Sequence, residues 1–350
     1  MATLKDVARL AEVDPSTVSR VLRGDPSQAV RAATRERIVA AAGTLRYRPN
    51  ALARGLRTRR TDTIGLIIPS LDNVGFSEVT HGIQAAAADA GKLVVVVEAE
   101  ALMSADQTAA EEAYWRLITD GRVDGLIVAF ATVDDHIVMQ LHERGTPLVL
   151  VNRRTAGIHG SVVVDDERGS DLAVRHLAEL GHTRIGYVGI AADTDTARRR
   201  EHGYRQAMAG SDLEVRETWL AVGPPTIAGG RSATRTLLGR DQEDRPTGLF
   251  VASLLGAIGV LVELRAEGVA VPSDTSVIAF NDHELAEYLD PPLTTVRMPN
   301  FRMGREAVGL LLEAIDGEDG RDVMIDDEPH VVTRWSTGRA SAVNEVRRLG

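Results

Sequence analysis

A short predicted helix near the start of the chain presents side chains that could enter a groove of DNA. The helix covers residues 15–22, and Val18, Val21 and Leu22 form its apolar face. Asp14 precedes it as a helix cap, because its carboxylate can accept hydrogen bonds from the free amides of the first turn. The opposite face carries Pro15, Ser16, Ser19 and Arg20. These four residues are the candidates for groove contacts.

Two further helices are predicted to support this one. The apolar positions of the first are Leu4, Val7, Ala8 and Ala11. About three residues separate it from the second helix, which is the spacing of a helix-turn-helix. A third amphipathic helix, about residues 30–45, should complete the core. Its inward residues are predicted to be Ile38, Val39, Ala42 and Leu45.

The charge of the chain divides between this region and the rest. Residues 1–60 contain 13 Lys and Arg but only 5 Asp and Glu, a net charge of +8. The whole chain carries −10 at pH 7, so residues 61–350 carry −18. Because nucleic-acid binding depends on local basic charge, the basic region is suited to phosphate contacts even in an acidic protein.

Composition excludes several classes of chemistry. The chain has no cysteine, which excludes disulfides, thiolate nucleophiles and cysteine metal sites and fits a reducing cytosol. The first residues show no export signal, and no long uncharged apolar run follows. We therefore expect a cytoplasmic protein that has no membrane partner and no cofactor.

From residue 63 onwards, short apolar runs alternate with helical stretches. The apolar runs lie at 64–68, 93–97, 126–128, 148–151, 185–188, 248–251 and 277–280. Buried strands that alternate with helices predict parallel sheets covered by helices. About 290 residues of this pattern are many for one sheet, so two lobes are expected.

The first fifty residues resemble the headpiece of the LacI/GalR family of bacterial regulators. The segments that carry the resemblance are LKDVA at 4–8, PSTVSRVL at 15–22, TRERI at 34–38 and LRYRPN at 45–50. The resemblance implies that Pro15 and Ser16 read bases and that Arg20 reaches a base edge such as guanine O6 and N7. Positions implied to contact phosphates are Thr17, Ser19, Thr34 and Tyr47. Leu4 is also assigned to the DNA-binding set.

Residues 50–57 resemble the hinge helix of the family, which forms against DNA and places a leucine in the minor groove. Leu56 occupies that position. The other DNA contacts implied here are Asn50, Ala53 and Arg54. Such a wedge unstacks a base step at a cost of a few kcal/mol, and the resulting bend permits more contacts. Gly55 lowers helix propensity by about 1 kcal/mol relative to alanine, so folding of the hinge should depend on DNA and on dimer pairing.

The resemblance continues through the body, at motifs that include DGLI at 124–127, HLAELGHTRI at 176–185 and PPLTTV at 291–296. It implies a small all-α helix-turn-helix headpiece plus an α/β periplasmic-binding-protein-like body with two Rossmann-like lobes. The expected organisation is a headpiece (1–48), a hinge and linker (49–61), an effector-binding and dimerisation body (62–340) and a tail (341–350). The first lobe should comprise about 62–162 and 292–322, and the second about 163–291 and 323–340, with three crossing strands near 162–165, 291–295 and 321–325.

A small-molecule effector is expected in the cleft between the lobes, because open parallel sheets bind ligands beyond the carboxyl ends of their strands. The candidate residues of the first lobe are Ser70, Asn73, Phe76, Asn152 and Arg153. Those of the second lobe are Arg200, Ser253 and Asn281. Arg200 matches a family position whose guanidinium projects into the cleft and donates to ligand oxygens, whereas Arg198 and Arg199 are expected to be solvated.

Two classes of effector remain open. The chain has Ser253 and Leu254 where many relatives have Asn-Asp, and Asn281 where they have an acid. These changes weaken a plain sugar assignment, because carboxylates are good acceptors for sugar hydroxyls. Arg153 and Arg200 favour an anionic or phosphorylated metabolite instead. Alternatively, Arg153 pairs with Asp72 or Asp282 when the cleft is empty.

An enzyme and a simple binding protein are the alternative functions. The sequence lacks the G-x-G-x-x-G, Walker A, G-x-S-x-G and H-E-x-x-H motifs, which argues against an enzyme. The run Asp165-Asp166-Glu167 is interpreted as a capping acidic turn. The histidines without metal-ligand spacing include His81, His142, His176 and His182. The basic headpiece argues against a protein that only binds a ligand.

The implied mechanism is allosteric repression. An effector reorients the lobes, changes the spacing of paired hinge helices and shifts operator affinity by roughly 1 to 3 kcal/mol. One headpiece reads only a half-site, so a homodimer on a near-palindromic, double-stranded operator is expected. Residues 333–350 show no leucine heptads, so no tetramerising coiled coil is predicted.

Overall fold

The structure, a computed structural model, describes residues 2–23, 30–47, 60–99, 121–129, 135–191, 194–239 and 244–340. The chain divides into two compact units, Met1–Thr61 and Asp62–Gly350. The first unit contains the headpiece and the second is the body.

The headpiece contains helices α1 (Leu4–Leu10), α2 (Pro15–Arg23) and α3 (Ala32–Thr44). Thr3 caps α1 in a reciprocal pair with Asp6, whose carboxylate accepts from the Thr3 amide at 2.9 Å. Asp14 accepts from the Ser16 amide at 2.7 Å at the start of α2, as the sequence predicted. Glu12, in the turn between the two helices, has a left-handed backbone with φ of +55°.

One apolar core holds these three helices together. Its buried residues are Val7, Ala8, Ala11, Val18, Val21, Ile38, Ala41 and Ala42. The prediction that Val39 points inward was wrong, since its side chain is 56% exposed. The inward face of α3 follows Ile38, Ala41 and Ala42, and Val39 lies about 100° around the helix from Ile38.

The strands of the body are β1 (Thr63–Ile68), β2 (Leu93–Glu98), β3 (Gly125–Val128), β4 (Leu148–Val151), β5 (Ser161–Val163), β6 (Ile185–Gly189), β7 (Leu220–Val222), β8 (Gly248–Val251), β9 (Ser276–Phe280), β10 (Thr294–Arg297), β11 (Val323–Met324) and β12 (His330–Val332). Its described α-helices are α4 (Ser77–Asp89), α5 (His136–Glu143), α6 (Asp166–Glu179), α7 (Asp195–Gly210), α8 (Ile227–Leu238), α9 (Leu254–Ala266) and α10 (Asn300–Ile315).

Within the described part of the body, two six-stranded sheets repeat one topology. The first has the order β11-β5-β4-β3-β1-β2, and the second has the order β12-β10-β9-β8-β6-β7. The pairings are parallel except that of β10 with β12. Every residue of β3, β4, β8 and β9 is buried, which explains why these strands are continuous apolar runs. The predicted fold class is confirmed.

The chain crosses between the sheets a few residues later than predicted. β10 pairs with β9 in the second sheet, although residues 292–322 were assigned to the first lobe. β11 pairs with β5 in the first sheet, although residues 323–340 were assigned to the second lobe. An apolar strand does not reveal which of two sheets it joins, because its partner is distant in the sequence.

Glycines allow helices to cross closely in both lobes. A Cβ atom at Gly82 of α4 would lie 2.1 Å from the carbonyl oxygen of Phe301 in α10. A Cβ atom at Gly259 of α9 would lie 2.1 Å from the carbonyl oxygen of Ile227 in α8. Only glycine permits such approaches, and they hold the helices that flank the strand ends in place.

Candidate functional site

The exposed face of α2 contains an internal contact between two predicted DNA-reading residues. Arg20 donates from Nη2 to the Ser16 hydroxyl at 2.9 Å and from Nε to the Ser16 carbonyl at 3.2 Å. Ser16 is exposed, and Arg20 is partly buried. Hydrogen bonds from Ser16 also lower the pKa of Asp14. The first turn of α2 therefore holds Arg20 along the helix surface.

The other predicted DNA contacts of the headpiece lie around this face. Pro15, Thr17 and Ser19 of α2 are partly buried, as is Thr34 of α3. Leu4 and Tyr47 pack against the core, so their apolar parts also stabilise the headpiece. The predicted hinge contacts lie outside the described residues, and they are Asn50, Ala53, Arg54 and Leu56.

In the body, the predicted effector residues follow the carboxyl ends of parallel strands. Ser70 and Asn73 come after β1, and Asn152 and Arg153 come after β4. Ser253 and Asn281 follow β8 and β9 in the second lobe. This is the edge at which open parallel sheets bind ligands.

Several of these side chains have structural partners in the first lobe. The Ser70 hydroxyl and the Leu71 amide donate to Glu98, and these hydrogen bonds lower the pKa of the Glu98 carboxyl. Asn73 accepts from the Gly75 amide at 3.1 Å and so begins a short 3-10 helix, Val74–Phe76. Phe76 is 9% exposed and belongs to the core, so little of its ring is available to a ligand.

The two lobes meet at a pair of asparagines. The carbonyl oxygen of Asn152 accepts from the Thr196 hydroxyl of α7 at 2.8 Å. The Oδ1 atom of Asn281 accepts from Asn300 Nδ2, at the start of α10, at 3.2 Å. Asn281 also faces Gly75, since a Cβ atom there would lie 3.5 Å from Asn281 Nδ2. Each asparagine thus accepts one hydrogen bond from the opposite lobe.

Arg200 lies in the second lobe with its guanidinium held by several groups. Its Nε donates to Asp166 Oδ1 at 2.7 Å, and its Nη1 donates to the carbonyl oxygen of Ala252 at 2.7 Å. Its guanidinium carbon lies 3.9 Å from the centre of the Phe280 ring. Arg200 is therefore next to Ser253 and Asn281, which directly follow Ala252 and Phe280.

Arg199 was predicted to be solvated, and that prediction was wrong. Its side chain is 10% exposed, forms an ion pair with Asp166 and donates to Asp195 at 2.9 Å and to the Val164 carbonyl at 2.8 Å. Of the predicted acidic turn, Asp165 does cap α6, accepting from the Arg168 amide at 2.9 Å. Asp166 instead is completely buried and pairs with both arginines.

Asp282 has partners within the second lobe. It accepts from Thr295 at 2.6 Å and pairs with Arg334 at 2.8 Å. Burial acts to raise the pKa of Asp282, but the hydrogen bonds from Arg334 and Thr295 and the charge of Arg297 outweigh it and lower that pKa. Its carboxylate therefore contributes to the packing of β10 against the segment that follows β12.

Sequence reasoning missed four residues that build the site, and they are Asp166, Thr196, Phe280 and Asn300. Asp166 and Arg200 are 34 residues apart, and Asn281 and Asn300 are 19 apart. These pairs join segments that are separated along the chain, so spacing and residue type within one segment did not reveal them.

The described features define a helix-turn-helix module joined in one chain to a two-lobed α/β body. Residues 3–50 match the family described as bacterial regulatory proteins, lacI family, and residues 174–337 match the periplasmic binding protein-like domain. The chain is similar to the HTH-type transcriptional repressor PurR of Aliivibrio salmonicida, with 33% identity over 96% of this chain and 99% of the relative.

Solved structures agree with this relationship. The lac repressor dimer bound to operator and the anti-inducer ONPF has a TM-score of 0.80 at 27% identity, covering 96% of this chain and 99% of that one. A LacI family regulator from Mycobacterium smegmatis has a TM-score of 0.74 at 31% identity, covering 79% of this chain and 100% of that one. The CelR–cellobiose complex has a TM-score of 0.72 at 30% identity, covering 96% of this chain and 100% of that one.

The chain belongs to the LacI family of bacterial regulatory proteins. It is a DNA-binding transcriptional repressor and not an enzyme. Among the residues that the structure describes, no helix is long and apolar enough to cross a membrane.

Proposed function

We propose that this repressor binds a near-palindromic operator as a homodimer and that a small molecule between the lobes controls this binding. The observation that carries the proposal is the exposed face of α2, on which Ser16 holds Arg20 in the family's recognition helix. A bacterial repressor meets its operator in the cytoplasm, which is where this protein is expected to act.

In this proposal, the residues of the headpiece divide into two groups. Arg20, with Pro15 and Ser16, contacts base edges in the major groove and supplies sequence specificity. Phosphate contacts that orient the module come from Thr17, Ser19, Thr34 and Tyr47. Leu4 helps to orient the module through its packing against the headpiece core. The hinge residues Asn50, Ala53, Arg54 and Leu56 enter the minor groove.

A homodimer is supported by the edge of the first sheet and by a relative. Leu93 and Val95 of the outermost described strand, β2, are 71% and 42% exposed. Exposed apolar residues on an edge strand form a surface that a second copy can cover. The related lac repressor was solved as a dimer bound to its operator.

Effector control is supported by the polar residues at the carboxyl ends of the strands. The polar candidates at these ends are Ser70, Asn73, Asn152, Arg153, Ser253 and Asn281, and Arg200 joins them from α7. Related structures hold ONPF or cellobiose. Because Asn152 and Asn281 accept hydrogen bonds from the opposite lobe, a ligand that competes for them changes the lobe arrangement. A sugar and an anionic metabolite are the two classes that the sequence leaves open.

The test is selection of DNA from a randomised pool by the purified protein, followed by sequencing. We expect enrichment of a near-palindrome. Arg20→Ala should lower affinity by about 1–3 kcal/mol and relax specificity at one position of each half-site. Leu56→Ala should weaken operator binding through loss of the minor-groove wedge.

Arg9→Ala is the matched control, since it removes one headpiece charge from a side chain that is 80% exposed and paired with Asp6. The Arg9→Ala variant should select the same DNA sequence as the unchanged protein. Binding that is sequence-independent and equally sensitive to salt in all variants would contradict the proposal and favour a protein that only binds a small molecule.

A further inference from the structure

We propose that Asp166 is a positioning and specificity residue of the effector cleft, which holds Arg200 and cancels its charge. Arg200 then recognises an uncharged hydrogen-bond acceptor, such as a hydroxyl or carbonyl oxygen, and not a phosphate or sulfate group. This inference rests on the proposed effector cleft, and it chooses between the two ligand classes at that arginine.

The cluster of Asp166, Arg199 and Arg200 is buried. Asp166 has no exposed surface, and the side chains of Arg200 and Arg199 are 6% and 10% exposed. Charges that are removed from water in this way persist only when they are paired with opposite charges and hydrogen-bonded. A pair formed by such groups is a built part of the molecule and not a transient surface contact.

The charges around Arg200 cancel. Arg199 and Arg200 carry two positive charges, and Asp166 and Asp195 carry two negative charges. The cluster of these four residues is therefore neutral. A phosphate or sulfate group placed against Arg200 would bring further negative charge beside the buried carboxylate of Asp166 without a counter-charge in the cluster.

The Arg200 guanidinium has partners at two of its three nitrogen atoms and on one face. Asp166 accepts from Nε, the Ala252 carbonyl accepts from Nη1, and one face lies on Phe280. Among the described residues, none accepts from Nη2. Asp166 thereby occupies the Nε donor, so the two-pronged contact that anions take from the Nε–Nη2 edge of arginine is not available. The N–H groups of Nη2 remain for a ligand oxygen.

Titration of sodium sulfate into the purified full-length protein, followed by calorimetry with ionic strength held constant by sodium chloride, tests this inference. The unchanged protein should show no saturable binding at Arg200. Asp166→Asn leaves the cluster with a charge of +1 and nearly the same shape. It should gain saturable binding at least about tenfold tighter than any in the unchanged protein, equivalent to about 1.4 kcal/mol.

The gain should disappear in the double variant Asp166→Asn with Arg200→Gln, because the sulfate would bind at that guanidinium. Asp171→Asn is the matched control. It removes one acid from the same helix, where the side chain pairs with Arg168 and Arg175, and should bind no sulfate. A role of Asp166 in folding alone would not create anion binding.

Asp195→Asn provides a second route if Asp166→Asn fails to fold. The Asp195 side chain is 20% exposed and supplies the other negative charge of the cluster, so its loss should produce the same gain. Sulfate binding by the unchanged protein that Arg200→Gln abolishes would overturn the inference, as would the absence of any gain in the folded variants. Neither result bears on operator binding, which the DNA selection tests separately.

Discussion

Asn152 and Asn281 occupy equivalent positions in the two lobes, and both have left-handed backbones, with φ of +62° and +70°. Each residue directly follows the strand that is fourth in its lobe, β4 or β9. Each also accepts a hydrogen bond from the opposite lobe, Asn152 from Thr196 and Asn281 from Asn300. Asparagine tolerates this conformation better than other residues with a side chain apart from aspartate, which explains its use at both turns.

The left-handed backbone at Asn152 predicts a difference between two small substitutions. Asn152→Ala should lower the free energy of unfolding by about 1 kcal/mol relative to Asn152→Gly, because a Cβ atom is disfavoured at positive φ. Both variants lose the same polar side chain, so the comparison isolates the backbone. Denaturant unfolding measures the difference. Equal stability of the two variants would show that the backbone there relaxes without cost.

The close crossing of α8 and α9 predicts that Gly259→Ala destabilises the body by about 1–3 kcal/mol, because the added carbon overlaps a carbonyl oxygen. Gly210→Ala is the matched control, since a Cβ atom at that helix end would have no neighbour within 4 Å. It should be neutral or slightly stabilising. Thermal unfolding of the two variants beside the unchanged protein tests the contrast, and similar shifts for both would contradict it.

The burial of His176 and His182 predicts that the folded protein loses stability in mild acid. Burial lowers the pKa values of His176 and His182 below the ordinary 6.5. The His182 ring forms hydrogen bonds with the hydroxyls of Thr247 at 3.0 Å and Ser276 at 2.9 Å, and the His176 ring forms one with the Thr337 hydroxyl at 2.9 Å. The two histidines bind protons more readily in the unfolded chain than in the folded one. Their neutral forms therefore contribute fully to the free energy of unfolding above pH 6.5, and that contribution declines as the pH falls below it.

The pH dependence of thermal unfolding between pH 7.5 and about 5 measures this effect. The double variant His176→Gln with His182→Gln should show a smaller decline than the unchanged protein. His142→Gln, at an exposed position of α5, should retain the full decline. If the double variant loses as much stability in acid as the unchanged protein, the decline comes from groups other than His176 and His182.

The contact between Ser16 and Arg20 predicts coupled effects on operator binding. Ser16→Ala should weaken binding by about 0.5–1.5 kcal/mol, as expected for loss of one hydrogen bond. In the Arg20→Ala background the same change should have a smaller effect, because the partner is absent. Thr34→Ala, on α3, should combine additively with Arg20→Ala. Additive effects of Ser16→Ala and Arg20→Ala would show that Ser16 acts independently.

Local patterns in the sequence were sufficient for most of the architecture. The three headpiece helices, the cap at Asp14 and the main buried strands all follow from spacing and residue type within a few positions. The loops at the carboxyl ends of β1, β4, β8 and β9 were predicted for the same reason. Helix and strand periodicity depends on neighbours along the chain, so it can be recognised without tertiary structure.

Only the tertiary structure decided which charged groups are buried, which residues they contact and which sheet some strands join. It placed Asp166 between Arg199 and Arg200, turned Val39 outward, and assigned β10 and β11 to their sheets. The carboxylate of Asp166 was interpreted as part of a capping acidic turn, because an acid at the start of a helix commonly has that role. Its actual environment depends on α7 packing against α6, a contact between segments far apart in the sequence, and local patterns do not encode that packing.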